Sequence, residues 1–581
     1  MQDKKPSDPF QVVWPVGPRE ETAQPKRERT EPVRETPVLL PIDVLLRRGA
    51  RMLDPANATQ PGRTRRSADN KRRRSPSETA VIRYTPTAYV ADEILVRAEG
   101  RNRQGLTTLV EDLQQDLSKS SIGRTRALRL EPADERQLDV VDDRVATESP
   151  AVVRLAVRSD SETAETPPDA WDVLQSLLDV RPGLALEIGL NHLMFAAGVG
   201  GVGFSVGHSA GGVGFSVGHG FSVGHGTGTA EYAIPGLGGR APVRWLARPP
   251  ARQDLRRRPV VAVLDTGVAE HPWFDGNPDD LVVTRLRYND ELRNVEPATI
   301  DTGGEPDPNL IDPLEGLIDP FFGHGTFIAG LIRQVCPDAN ILSVKVMGTD
   351  GIVEEAELIN TLGFLHSRQV AARKAGEAGF TDLIDVLSLS LGYYHEAGAA
   401  GEAYDGVLRN AVEALGRVGI LVVASAGNNA SSQPLLPAGF TTFTDGTLPV
   451  AGNAVPLVSV GALNPDGSVA LFSNSGSWVA CHSPGAALVS TLPVVDSAQR
   501  SGVDTGFRPP ADRPVASWRA TIDPDNFTGF GTWSGTSFAA PVAAAAVAQA
   551  LVDSGALAKA GESTTRLNEA LAALHFTVVV S

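Results

Sequence analysis

Between Gly531 and Asp553 the chain reads GTWSGTSFAAPVAAAAVAQALVD, so a glycine-bounded turn delivers Ser537 to the head of an uncharged, alanine-dominated run. Alanine has the highest helix propensity, and a helix is expected from residue 538 to 552. The run is apolar on every side, which assigns that helix to a core rather than to a surface. Pro541 fits its first turn, where a backbone N–H lacks an intrahelical partner anyway. Ser537 would then stand at the positive end of a helix dipole, on backbone kept accessible by Gly535. Two plainer readings compete. One is an N-capping serine on an ordinary core helix. The other is a membrane span, for which the apolar part is shorter than the roughly 20 strongly apolar residues required.

A chain of 581 residues with 42% hydrophobic side chains holds more than one domain and ample material for a large core. Its formal charge of -16 argues against a whole molecule built for nucleic acid or anionic membranes. Two cysteines, Cys336 and Cys481, exclude a disulfide scaffold; one bridge is conceivable, and two free buried thiols are the expectation. The first residues, MQDKKPSDPFQVVWPVGPREE, carry no apolar core of signal-peptide length. The expectation is a cytoplasmic protein without a membrane segment.

Residues 1–79 are rich in Pro, Arg and Glu and read as a disordered tail. Its basic stretch RTRRSADNKRRR (63–74) reads as solvated tail in preference to a nucleic-acid arm. From 80 to 197 the pattern turns globular. Strands are expected at 93–99, 126–132, 151–157 and 184–190, and helices at 106–117 and 170–179. The order β-α-β-β-α-β describes a ferredoxin-like split βαβ module, or an ordinary α+β domain. Residues 198–254 form a glycine-rich linker that repeats GFSVGH at 203–208, 214–219 and 220–225. His208, His219 and His225 have no carboxylate or cysteine beside them, so a duplicated linker is favoured over a metal site. The largest domain occupies 255–581.

In that domain PVVAVLDTGV (259–268) is a short apolar run ending in Asp265, which suits a buried parallel strand with a carboxylate at its carboxyl end. FFGHGTFIAGLI (321–332) sets His324 between two glycines at the start of a helix. His271, in VAEHPWF, is the rival base, but beside Pro272 and Trp273 it reads as packing after the Asp265 turn. LIDVLSLSLG (383–392) and GILVVASAGN (419–428) are strands ending in small residues, with a helix expected at 402–415 between them. Strand and helix alternate throughout, which argues for an α/β, doubly wound, mostly parallel sheet. An Asp ending a strand or an Asn in a turn, taken singly, is also ordinary turn chemistry.

Taken together, Asp265-Thr-Gly, Gly-His324-Gly-Thr, Ser390-Leu391-Gly392, Ala-Gly-Asn428 and Gly-Thr-Ser537-Phe-Ala-Ala-Pro resemble, in order and in strand context, the subtilisin-like serine peptidases of family S8. The likeness spans about 255–555. Its Asp, His, Ser chain order differs from that of chymotrypsin and of the α/β-hydrolases. The resemblance implies a serine endopeptidase acting on polypeptides through an acyl-enzyme. Ser537 would be the nucleophile and His324 its general base, with Asp265 orienting the imidazole. The Asn428 amide and the Ser537 N–H would bind the oxyanion. Ser390, Leu391 and Gly392 would pair with substrate backbone as an added strand. No catalytic cofactor or metal is implied. The calcium loop that interrupts the helix after the histidine in many members is missing from GHGTFIAGLIRQVCPDA. The acidic interval Asp290, Asp301, Asp307, Asp312, Asp319 reads as a solvated loop rather than a replacement site. An insertion at 493–530 would shape the cleft. The 80–197 module would act as a propeptide, chaperone and inhibitor of its own enzyme, cut in the linker to release an active form. The reading from another class is a catalytically silent binding or scaffold protein on the same fold.

Overall fold

The computed structural model describes residues 42–53, 86–135, 148–159, 167–196, 238–275, 281–289, 294–298, 317–396, 406–441, 454–494 and 527–558, with shorter pieces between and after them. The basic run 63–74, the GFSVGH repeats with their three histidines, and Asp290, Asp301 and Asp307 lie outside the described residues.

Within the stretch expected to be disordered, Ile42–Arg47 forms helix α1 and Ala50–Met52 forms strand β1. β1 is ordered by tertiary pairing: it adds antiparallel to β2 (Ala88–Arg97), with Arg51 opposite Tyr89. Next come helix α2 (Arg103–Lys119), β3 (Leu128–Pro132), β4 (Val152–Ser159), helix α3 (Ala170–Val180) and β5 (Ile188–Ala196). The strands lie in the spatial order β5-β2-β4-β3, all antiparallel. Asn102 caps α2 through its side chain and Asp169 caps α3, each accepting a backbone N–H of the first turn. The two helices bury Leu106, Leu113, Leu117, Val173, Leu174 and Leu177 against Ile94, Val96, Val153 and Leu155 of the sheet.

The last strand differs from expectation. Pro182–Leu186 is a 3-10 turn opened by proline, and β5 starts at Ile188 and continues to Ala196. Asn191 and His192 break the apolar run by their polarity, yet both are buried. Their polar atoms are satisfied from outside the strand, a provision that period-two patterning along one strand cannot reveal.

The larger domain is built on β6 (Val260–Asp265), β7 (Val283–Asn289), β8 (Asn294–Pro297), helix α4 (His324–Val335), β9 (Asn340–Lys345), β10 (Ile352–Glu354) and helix α5 (Glu355–Lys374). It continues through β11 (Val386–Leu389), β12 (Leu391–Gly392), helix α6 (Gly406–Arg417), β13 (Leu421–Ser425), β14 (Leu457–Leu463), β15 (Cys481–Pro484), β16 (Leu488–Val494), β17 (Thr528–Trp533) and helix α7 (Thr536–Asp553). Eight described strands form one sheet in the order β15-β14-β13-β11-β6-β9-β7-β8, parallel except for the β7–β8 edge. Alternate residues of β6 face opposite layers. Val261 and Val263 pack with α4 and α7, while Ala262 and Leu264 pack with α5 and α6, which is the doubly wound arrangement. The chain builds β7 and β9 on one side of β6, then crosses to build β11 and β13 on the other. The carboxyl end of β6 is thus a topological switch point, where such sheets place ligands.

Helix α7 is long and apolar enough to cross a membrane by length and composition, but it is largely buried between α4 and the sheet. It begins at Thr536, so Pro541 sits inside the helix rather than in its first turn. Cys336 and Cys481 are free and buried, and burial pushes the Cys336 thiol up to about 12.

Candidate active site

Asp265 ends β6 and His324 opens α4, and the two meet: the imidazole Nδ1 lies 2.8 Å and 3.0 Å from the two carboxylate oxygens. A second link locks this contact. The Thr266 N–H donates to Asp265 Oδ1 at 2.8 Å, and the Gly325 N–H donates to Thr266 Oγ1 at 3.0 Å. The Ala269 N–H donates to Thr326 Oγ1 at 2.9 Å, so the threonines of the two glycine motifs stitch the β6 turn to the α4 start. Neither threonine was singled out from sequence, although its presence in both motifs was the available signal. The flanking glycines have steric reasons. A Cβ on Gly325 would meet the Gly267 carbonyl oxygen at 2.2 Å. Gly323 has φ +83°, and a Cβ there would press on Leu492. Phe321, Trp533 and Phe538 surround the imidazole.

Ser537 is the second residue of α7 and fully buried. The hydrogen bond expected between Ser537 and His324 is not made. The Ser537 hydroxyl donates instead to the Ser390 carbonyl at 3.1 Å, and His324 Nε2 has no hydrogen-bond partner among the described residues. Ser390 in turn donates its hydroxyl to the Ser537 carbonyl at 2.7 Å. That carbonyl would ordinarily accept from the residue-541 N–H, which proline lacks. Asn428 follows β13, and its side-chain oxygen accepts from Thr536 N–H at 2.8 Å and Thr536 Oγ1 at 2.9 Å. These contacts fix which end of the amide is the donor and turn it away from Thr536.

His271 is excluded as the base by its surroundings. Its Nδ1 accepts from Trp273 N–H and its Nε2 faces the Gly529 carbonyl at 2.9 Å, so both ring nitrogens are engaged. Burial holds its pKa down at about 4. Of the acidic interval, Asp319 is buried with Thr349 Oγ1 donating to it at 2.5 Å, and burial raises its pKa. Among the described residues no group of three or more His, Cys, Asp or Glu is arranged to hold a metal ion.

Strand β5 lies beside the segment that follows Ser390. It pairs antiparallel with β10 (Phe195 opposite Ile352, Leu193 opposite Glu354) and with β12 (Ala196 opposite Leu391, Phe195 opposite Gly392). The predicted binding segment 390–392 therefore carries an added strand, and that strand comes from the same chain. Behind it, the sheet packs on α5: Leu95, Val152, Met194 and Ala196 share a core with Leu358, Ile359 and Leu362. The Asn191 side-chain oxygen accepts from the Ala356 N–H at the head of α5, and Arg154 pairs with Glu354 at 3.1 Å.

A doubly wound sheet with an Asp–His pair at its switch point and Ser537 at the head of a later helix has these groups in the chain order Asp, His, Ser. A subtilase family model matches residues 256–570, more than half of the sequence, and the chain belongs to the subtilase family. It is similar to Subtilisin E of Bacillus subtilis (strain 168), 29% identical over 267 residues that cover 42% of this chain and 61% of that protein. The Thermophilic serine proteinase of Bacillus sp. (strain AK1) is 27% identical over 243 residues, 40% of this chain and 45% of that one. Matches thus span 45% to 61% of the length of these two relatives. Among solved structures, fervidolysin from Fervidobacterium pennivorans, a keratinolytic enzyme related to subtilisin, aligns with a TM-score of 0.40 and 17% identity over 82% of this chain and 56% of that one.

Proposed function

We propose that the protein is a serine endopeptidase made as a self-inhibited precursor. The observation that carries this reading is the buried Asp265–His324 pair, 2.8 Å apart, at the sheet end where the helix head bearing Ser537 arrives. A serine hydroxyl is a weak nucleophile at neutral pH. His324 Nε2, which has no described partner, would take the Ser537 proton as Oγ adds to the scissile carbonyl. Asp265 would stabilise the imidazolium that results. The Asn428 amide and the Ser537 N–H would hold the oxyanion, with preorganised donors acting in a dry site. The Ser537 hydroxyl donates to the Ser390 carbonyl and would have to exchange that bond for one to the imidazole; catalytic bonds of this kind commonly tighten only once substrate is bound.

The N-terminal layer supplies the inhibition in this reading. Its strand order β5-β2-β4-β3 is that of a ferredoxin-like sheet, and β5 sits where an extended polypeptide substrate would add to β10 and β12. Residues 80–197 then act as propeptide on the catalytic domain 255–581, with the linker 198–254 as the place of cutting. The test compares the wild type with Ser537→Ala and His324→Ala. Wild type should break down to a stable fragment that takes up a fluorophosphonate on Ser537, and both variants should stay full length and unlabelled. Identical fragments from all three, with no adduct, would instead establish a silent binding protein on the subtilase fold.

A further inference from the structure

Two segments of the larger domain reach the head of α7 from different strands. The first is Ser390-Leu391-Gly392, whose Ser390 carbonyl accepts the Ser537 hydroxyl at 3.1 Å. The second is Gly427-Asn428. The Gly427 N–H donates to Thr536 Oγ1 at 3.0 Å, and the Asn428 side-chain oxygen accepts from the Thr536 N–H at 2.8 Å. Each segment carries a glycine, and one leucine lies against both. A Cβ on Gly392 would meet Leu435 Cδ2 and Cγ at 2.7 Å, and a Cβ on Gly427 would meet Leu435 Cδ2 at 3.0 Å. The same methyl answers to both glycines, so the space between the two segments is about one methyl group wide and Leu435 occupies it.

Leu435 is held there by the larger domain itself. Its carbonyl accepts from the Gly439 N–H at 2.7 Å, and its neighbour Leu436 exchanges backbone hydrogen bonds of 2.9 Å and 3.0 Å with Tyr393. Tyr394 packs against the leucine side chain, with Met52 of β1 on the outside of that pair. Asn474 fixes the tyrosine: its amide donates to the Tyr394 hydroxyl and to the Ala426 carbonyl, each at 2.8 Å, and the Tyr394 hydroxyl donates to Asn429 Oδ1 at 2.8 Å. The contacts with Gly392 and Gly427 involve neither β1 nor β5.

Resting on the endopeptidase reading, we propose that Leu435 is a specificity-determining residue that restricts cleavage to bonds following a small side chain. A substrate residue that presents its carbonyl to Ser537 and to the Asn428 amide, while its backbone pairs along 390–392, sends its side chain into the space between the two glycine-bearing segments. Leucine fills that space, and packed interiors do not absorb a second large side chain without strain. Leu435 is thus the repulsive element that rejects large residues, and an alanine or glycine fits beside it. The chain's own sequence agrees. Beyond Ala196, which pairs with Leu391, it continues Ala197-Gly198-Val199-Gly200-Gly201-Val202-Gly203, with no side chain larger than valine before Phe204.

The experiment uses the full-length protein incubated until self-cleavage is complete, and three p-nitroanilides of the form Ala-Ala-Pro-Xaa with Xaa alanine, leucine or phenylalanine. The unaltered protein should release nitroaniline from the alanine peptide with kcat/KM at least about tenfold above the phenylalanine peptide, the scale on which apolar pockets discriminate. Leu435→Gly should shift the phenylalanine-to-alanine ratio by at least about tenfold toward phenylalanine. Leu435→Ala, which keeps a Cβ in place, reads the same ratio should the glycine variant not fold. Equal rates on alanine and phenylalanine with the unaltered protein, or a ratio unmoved in the folded variants, would overturn the role of Leu435 and leave the endopeptidase standing. Failure to cut any of the three would remove the endopeptidase reading and the pocket with it.

Discussion

Ser390 and Ser537 are joined by two hydrogen bonds running in opposite directions, each hydroxyl donating to the other residue's carbonyl, at 2.7 Å and 3.1 Å. One bond serves the fold and the other holds the candidate nucleophile. The first exists because Pro541 leaves the Ser537 carbonyl without its helical donor. The second occupies the hydroxyl that the proposed chemistry requires at His324.

Ser390→Ala removes the structural bond and strands a buried carbonyl, at a cost of about 1–3 kcal/mol. For a domain of this size that corresponds to a fall in Tm of a few degrees, on the order of 2–4 °C per kcal/mol. Pro541→Ala restores an N–H at the right position, so the double variant should lose less stability than the sum of the singles. Scanning calorimetry on a His324→Ala background, which blocks self-cleavage, reads the coupling.

Asn428 contributes separable halves. Asn428→Asp keeps an acceptor for Thr536 and removes the amide donor, so kcat should fall by about 10²–10³, a scale the field takes from this family's own prototype, with Tm close to wild type. Asn428→Ala should show the same kinetic loss and a lower Tm. Equal activity of the Asn428→Asp variant and the wild type would remove Asn428 from the oxyanion site.

Gly325→Ala places a methyl 2.2 Å from the Gly267 carbonyl, a backbone atom that cannot swing aside. The start of α4 must move, and with it the Asp265–His324 contact. Misplacement on that scale should lower turnover by about 10²-fold or more even where the protein still folds. Steady-state kinetics beside a circular dichroism spectrum distinguishes this from unfolding.

His192 Nδ1 lies 2.5 Å from Glu355 Oε2 and its Nε2 lies 2.9 Å from Glu396 Oε2, a clamp that predicts a pH profile. Its pKa is raised from the ordinary 6.5 to about 10, so its stabilisation is complete below about 6.5 and fades as pH rises through about 10. Glu396, lowered from 4.5 to about 2, contributes above about 4.5 and loses its share as pH falls through about 2. In Ser537→Ala protein, His192→Gln should therefore lower Tm most between about pH 4.5 and 6.5, with the gap narrowing toward pH 10. A gap that stays constant across that range contradicts the ion pair.

Much of the candidate site is legible in the sequence because its parts are local. Asp265, His324 and Ser537 each sit in a glycine-bounded turn where a strand meets a helix or a helix begins, and such turns are written in a few neighbouring residues. The alternation of apolar runs and amphipathic stretches likewise marked the doubly wound sheet, since period follows secondary structure. Pro541 falls deeper in its helix than expected because helix ends depend on caps and contacts more than on propensity. The last strand, expected at 184–190, lies at 188–196: its first residues form a 3-10 turn, and it runs on through the polar Asn191 and His192, whose partners Glu93, Glu354, Glu355 and Glu396 nothing nearby in sequence announces.

The sequence by itself determined which turns carry Asp265, His324 and Ser537, which runs form the sheet and which helix is buried, since each rests on neighbours within a few residues. Only the tertiary structure decided that β1 adds to β2, that Ser537 faces Ser390 in place of His324, and that β5 fills the groove with a cation between two carboxylates. The last two outcomes depend on pairings across more than a hundred residues of chain: Ser390 and Ser537 are 147 positions apart, and His192 and Glu355 are 163. Only the folded arrangement sets the distances on which such hydrogen bonds and charge pairs depend.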